Sequence, residues 1–181
     1  SQSAQIGQVL SMGKVITALG VITMLYGEIM ALRQTDLKRI LAYSTMGQVG
    51  AITLTLGLCS YLAATGALFH LVNHAVMKDL LFLCSGVLIL RSGSRELKDL
   101  RGLGRVMPFT ATCMIIGLLG IMGLPPFSGF MSKYVMLYAI ADKSPLLAGL
   151  MLLASMAGCI YYMRIIRTLI FEPYEGQPLP D

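Results

Sequence analysis

Charged residues are scarce in this sequence. Asp, Glu, Lys and Arg make up 13% of the 181 residues against 56% hydrophobic ones, and the mean hydropathy is +0.74, which excludes a water-soluble domain. Cysteine is as sparse: Cys59, Cys84, Cys113 and Cys159 stand singly in apolar surroundings. That scatter excludes a disulfide framework or a cysteine metal cage and reads the four as small buried hydrophobes. A Gly-rich phosphate loop, a hydride-cofactor fingerprint and a Ser-His-Asp arrangement are missing too, so no cofactor and no catalytic centre are expected in this chain. Tyr43, Ser44 and Thr45 read as hydroxyls at a helix start rather than nucleophiles. Basic residues are not interleaved with aromatics, so the net charge of +5 is no sign of nucleic acid as a partner.

What is present is long apolar stretches. A bilayer crossing takes about 20 apolar residues. Five stretches qualify, roughly Lys14 to Leu32, Leu41 to Leu58, Tyr61 to Leu90, Met107 to Ile140 and Leu146 to Ile170. The expected fold is therefore an all-α polytopic membrane protein, a single transmembrane module over residues 1–181. The first stretch lacks the basic start and small-residue cleavage pattern of a signal peptide. Because the chain opens on Ser1 with a polar segment that looks like a loop entering a helix, it is expected to be one piece of a longer polypeptide.

Five crossings sort the basic residues. Arg33, Lys38, Arg39, Arg91, Arg95, Lys98, Arg101, Arg105, Arg164 and Arg167 fall on one side, and only Lys14 and Lys143 on the other. The positive-inside rule makes the first side cytoplasmic, with the start of the chain outside and its end inside. The net charge thus reflects topology. Lys78 and Lys133 remain, and both lie within spans.

Lys78 belongs to a row. His70, His74 and Lys78 are spaced by four, so they stack on one helical face with Cβ atoms about 5–6 Å apart. Ionisable side chains at bilayer depth cost roughly 2.5–3.5 kcal/mol each, and such a row is read first as an ion or proton path. Imidazole titrates near neutrality, and an amine taken out of water releases its proton more readily, so both can load and unload protons. Asn73 flanks the row and is placed to orient a bridging water. Asp79, next to Lys78, is an expected neutraliser or tuning group. A metal reading fails, since the zinc-protease helix needs Glu directly after the first His and Leu71 stands there.

The fourth stretch cannot be one straight helix. Its 34 residues would run about 51 Å, well beyond the ~30 Å hydrocarbon core. The run Gly123-Leu-Pro-Pro126 supplies the break, because neither proline donates a backbone hydrogen bond and the glycine permits a sharp turn. Irregular backbone at this depth lines protein or a watery cavity, which marks an ion route. Lys133 follows Pro126 by two helical turns, with Ser128 and Ser132 as nearby hydroxyls. Glu28, one turn before the basic end of the first span, reads as an interfacial or accessory acid that pairs with Arg33 or a lysine of another helix. The segment from Arg91 to Arg105 alternates charge with glycine and is expected to form a short surface helix and turn, at lipid headgroups or against a partner subunit.

Three strings carry a family resemblance: Arg33-Gln-Thr-Asp-Leu-Lys-Arg-Ile-Leu-Ala-Tyr-Ser-Thr-Met-Gly-Gln-Val-Gly50, Phe69-His-Leu-Val-Asn-His-Ala-Val-Met-Lys-Asp-Leu-Leu-Phe82 and Leu124-Pro-Pro-Phe-Ser-Gly-Phe-Met-Ser-Lys133. Together they resemble the antiporter-like membrane subunits of complex I, the proton-translocating NADH-quinone oxidoreductase. Mrp-type cation/proton antiporters and membrane-bound hydrogenases have subunits of the same family. The resemblance implies about fourteen transmembrane helices in a whole subunit, with two five-helix units of inverted topology, each with a broken helix. This chain resembles the second unit, broken at Gly123 to Pro126. The implied partners are the first half of the antiporter-like fold, other membrane subunits and lipid. The implied cargo is protons, or sodium.

On that resemblance His70, His74 and Lys78 match the central hydrophilic axis, and Lys133 matches the ionisable residue of the second broken helix, the relay toward the outside. Some family members carry an acid there, and Glu28 has no motif counterpart. The expected function is a proton-translocating subunit of a complex I-related redox complex or membrane-bound hydrogenase. A sodium/proton antiporter module of an Mrp-type complex and a non-conducting structural scaffold are the alternatives. The expected location is an energy-coupling membrane, that of a bacterial or archaeal cell or an organellar inner membrane.

Overall fold

The capping residues set the helix boundaries in the computed structural model, which describes residues 2–174. Helix α1 (Gln2–Arg33) ends at Arg33, and α2 (Leu37–Leu56) starts where the Asp36 carboxylate accepts from Arg39 N at 3.0 Å. Ser60 caps α3 (Tyr61–Ser92) in the same way, through Ala63 N at 3.2 Å. Gly93 ends it in the left-handed conformation that glycine adopts without strain. A 3₁₀ turn (Leu97–Leu100) and a one-turn helix α4 (Leu103–Val106) then lead to α5 (Pro108–Met122), with proline at its first position. After the break come α6 (Ser128–Lys143), α7 (Pro145–Ile166) capped by Ser144, and a π-helical turn (Arg167–Phe171). The described residues are almost wholly helical, with no strand among them, as the all-α expectation required.

The break falls inside the expected segment. Gly123, at φ +80°, closes α5 by donating to Gly120 O, and the chain turns through Leu124 to Phe127, with a cis Pro125–Pro126 bond, before α6 begins. By length and composition, Leu10–Arg33 and Pro145–Phe171 are each able to cross a membrane alone, and Leu97–Val106 with Pro108–Met122, bent by 116°, qualify as a pair.

Helix α3 lies centrally, packed on α2, α5 and α6, while α7 closes against α1 and α6. The tightest pair is α1 with α2. A side chain added at Gly20, Gly27, Gly50 or Gly57 would run into backbone of the facing helix, so the two helices touch main chain to main chain. The interior divides into two apolar clusters, one around Leu37, Leu81, Leu88, Leu100 and Leu169, the other around Met24, Leu54, Ala67, Met136 and Met151. Among the described residues of α1, α2 and α3 the buried polar ones are Glu28 on α1, Ser44, Gln48 and Thr55 on α2, and His70, His74, Lys78 and Ser85 on α3. The outer surface is apolar, with Val72, Val76, Leu83, Val87 and Leu90 exposed along α3 alone. An apolar outer surface, with polar side chains kept within the bundle, is the arrangement for a lipid solvent.

The basic segments gather at one end. Arg164 donates to Leu32 O at 3.3 Å and Gln34 O at 2.6 Å, Leu37 N to Arg95 O, and Leu97 N to Thr35 O. Arg101 pairs with Glu172 at 2.9 Å. Lys14 and Lys143 line one groove of about 650 Å³ on the opposite side. The segment from Arg91 to Arg105 is less superficial than its charges suggested: Leu97, Leu100 and Leu103 are buried in the first apolar cluster, and its backbone is held by the α1–α2 turn at Arg95 and Leu97 and by Thr168 O at Gly102. Cys59 also departs from expectation. It is exposed, in the turn between α2 and α3 at φ +50°, whereas Cys84 is buried as expected.

Candidate functional site

Glu28 is 2% exposed, and its carboxylate is the acid at the centre of the bundle. One oxygen accepts from Gln48 Nε2 at 3.2 Å and the other from Tyr161 hydroxyl at 2.9 Å. The expectation of an interfacial acid paired with Arg33 or a lysine is therefore corrected. One helical turn of depth, and facing residues on α2 and α7, take Glu28 into the interior with neutral donors.

From Glu28 the hydrogen bonding continues in both directions. Gln48 Oε1 meets His70 Nε2 at 3.1 Å, and His70 Nδ1 meets Ser132 Oγ at 2.9 Å. Ser132 Oγ also lies 3.2 Å from Gly129 O, in the first turn of α6. On the other side Tyr161 packs edge-on against Tyr162, ring centroids 4.4 Å apart. Lys78 Nζ lies 3.5 Å from the Tyr162 hydroxyl, and donates to Ser44 Oγ and to Leu41 O at 3.1 Å. Lys78, Tyr162, Tyr161, Glu28, Gln48, His70 and Ser132 thus form one buried polar chain drawn from α1, α2, α3, α6 and α7.

The three-residue row on α3 shares a face, as its spacing required. His70, His74 and Lys78 are all buried, and the two rings sit 6.1 Å apart. Yet Lys78 makes no bond to either histidine. Its partners are on α2 and α7. His74 Nε2 is buried without a hydrogen-bond partner among the described residues. Buried polar groups of this kind are uncommon.

Asp79 does not neutralise Lys78. Successive helical residues leave the axis about 100° apart, so while Lys78 points inward Asp79 is exposed, with no ion pair to Lys78 among the described residues. Asn73 is half-buried and reaches Ser128 O at 3.4 Å, tying α3 to the start of α6. Ser128 itself is exposed and meets Asn73 through its backbone. Ser44 is no helix-start hydroxyl but a buried residue within α2.

Lys133 turns back to the break. Its Nζ donates to Met122 O at 3.4 Å, the last carbonyl of α5, where a cation is favoured by the helix dipole. It also lines an open, mostly apolar pocket of about 180 Å³ with Phe130, Tyr134, Met151 and Ser155. Sequence reasoning missed Gln48, Tyr161 and Tyr162. Gln48 lies within the first motif string, which was its one available signal; the tyrosines had none.

Comparisons with known proteins bear on this arrangement. Residues 6–165 match the family model described as NADH:quinone oxidoreductase/Mrp antiporter, TM. One subunit of the Na(+)/H(+) antiporter of Alkalihalophilus pseudofirmus is 42% identical over 69% of this chain and 17% of its own length. A chain of the membrane-bound sulfane sulfur reductase, an archaeal respiratory membrane complex, is 34% identical with a TM-score of 0.88, over 94% of this chain and 35% of that one. A chain of respiratory complex I from Thermus thermophilus is 28% identical with a TM-score of 0.86, over 93% and 36%. The chain therefore spans about a third or less of the length of these relatives.

Proposed function

The chain belongs to the NADH:quinone oxidoreductase/Mrp antiporter transmembrane family, and from that premise we propose that it is the proton-conducting second half of an antiporter-like subunit. In this reading five spans, the fourth broken at Gly123 to Pro126, form one unit of an inverted repeat within a larger membrane complex. The end that gathers Arg33, Arg95, Arg101 and Arg164 is cytoplasmic. The single observation that carries the proposal is the buried polar chain from Lys78 to Ser132, which ends one residue from Lys133 at the break.

A proton held at Lys78 moves along this buried polar chain to His70, with the His74 ring beside it, and then to Lys133, which releases it through the adjoining pocket. No redox centre is proposed in this chain, so the driving event lies in a partner subunit, and its coupling to protonation here is reciprocal at equilibrium. The test is proton uptake into vesicles containing the intact assembled complex, with Lys78→Met and Lys133→Met measured against turnover of the parent reaction. Loss of the pH gradient in either assembled variant supports the relay. Unchanged uptake per turnover in both leaves a structural scaffold.

A sodium path is the second reading, favoured by the Na(+)/H(+) antiporter relatives. Sodium-dependent flux that persists in the presence of a protonophore would select it.

A further inference from the structure

Ser132 has one hydroxyl hydrogen and two acceptors within reach. His70 Nδ1 is 2.9 Å away and Gly129 O 3.2 Å away. Which acceptor is used follows from the other side of the ring. Glu28 accepts from Tyr161 and from Gln48 Nε2, so the carboxylate fixes the Gln48 amide with its NH₂ toward Glu28 and its oxygen toward His70. That oxygen only accepts, so His70 Nε2 carries a hydrogen and donates to it. A neutral His70 then has its lone pair on Nδ1, and Ser132 must donate to it. A cationic His70 carries a hydrogen on Nδ1 as well, which donates to Ser132 Oγ and turns the hydroxyl hydrogen to Gly129 O.

Resting on the relay reading above, we infer that Ser132 is a positioning residue that reports the charge of His70 to the helix break, by exchanging the His70 ring for the Gly129 carbonyl as its acceptor. Gly129 is placed to respond. A serine that bonds back to the carbonyl three residues earlier bends the helix it sits in. Gly129 has no room for a Cβ against Gly120 backbone, so movement of its carbonyl is felt directly by α5. Lys133, the next residue after Ser132, is bonded to the far side of the same break. A proton on His70 therefore alters the junction that holds the Lys133 amine.

The charged and titratable groups facing His70 are His74 on α3, Lys133 on α6 and, through the neutral Gln48 amide of α2, Glu28 on α1. None of them touches Ser132 in the way His70 does, which makes the serine separable by mutation.

The experiment measures proton uptake by the intact complex in vesicles across a pH series for Ser132→Ala, Ser132→Thr, Lys133→Met and Lys78→Met. Ser132→Ala is expected to slow uptake about tenfold and to move the midpoint of the pH profile by about one unit, the scale of one charge-assisted hydrogen bond. Threonine keeps the hydroxyl and is expected to restore the rate to within about threefold of native and the midpoint to the native value. Should threonine not assemble, Ser132→Cys, a weaker hydrogen bonder of similar size, takes its place and is expected to lie between alanine and native. An alanine variant with an unmoved midpoint overturns the inference, whether or not its rate falls. Loss of uptake in Lys133→Met beside that unmoved midpoint leaves the relay standing without the switch, whereas native uptake in both Lys133→Met and Lys78→Met removes both.

Discussion

Tyr161 donates to Glu28 at 2.9 Å across 133 residues of sequence and so closes α7 onto α1. The bond satisfies one of the two oxygens of a buried carboxylate, with Gln48 satisfying the other. Tyr161→Phe keeps the ring packing on Tyr162 and leaves one oxygen short of a donor. The expected cost is about 1–3 kcal/mol, the usual penalty for an unpaired buried polar group. Thermal unfolding of the solubilised complex would register it as a lowered midpoint. An unchanged midpoint would mean that Glu28 finds another donor.

The two neighbours Lys78 and Asp79 are expected to behave differently from the carboxylate-neutralising picture that their adjacency suggests. Lys78 is held by Ser44, Leu41 O and Tyr162, and Asp79 faces outward. Asp79→Asn should therefore leave proton uptake within about twofold of native, because Asp79 forms no ion pair with Lys78 among the described residues. Ser44→Ala removes a direct partner of a buried ammonium and should lower uptake about tenfold, the scale of a hydrogen bond to a charged group. Equal effects of the two variants would argue against the arrangement around Lys78.

What the sequence made legible is the part written in local spacing. The interval of four between His70, His74 and Lys78 gave their common face, and Gly123 with Pro125 and Pro126 gave the break, because backbone sterics act within a few residues. The partnerships of Glu28, Gln48, Tyr161 and Tyr162 depend on which helices meet, and helical periodicity carries no information on that. Asp79 misled for the complementary reason: adjacency in sequence is about 100° of rotation on a helix. The α1–α2 contact did have a local signal, since Gly13, Gly20 and Gly27 recur every seven residues.

That contact yields a paired prediction. A methyl at Gly50 would meet backbone of Met24 on α1, whereas one at Gly86 meets nothing within 4 Å. Gly50→Ala should force the two helices apart, at about 1–3 kcal/mol for overpacking of a tight interface. Gly86→Ala should be neutral or stabilise by up to about 1 kcal/mol through helix propensity. Yields of assembled complex after mild heating provide the comparison, and a Gly50→Ala variant as robust as Gly86→Ala would contradict the close main-chain contact.

Lys133 has two separable duties at the break, and one substitution divides them. Its amine donates to Met122 O at 3.4 Å and places a cation at the C-terminal end of α5. In the relay it must also give up a proton to the adjoining pocket. Arginine keeps the first property and lacks the second, because a guanidinium stays protonated in proteins. Lys133→Arg is therefore expected to retain assembly and thermal stability close to native while losing at least about tenfold in proton uptake, on the scale of removing a proton-transfer group. Lys133→Met should lose the helix-end charge as well, so it should be both inactive and less stable, by about 0.3–1 kcal/mol. If the arginine variant conducts like the native protein, Lys133 serves as a fixed charge that holds the broken helix and the proton leaves by another group.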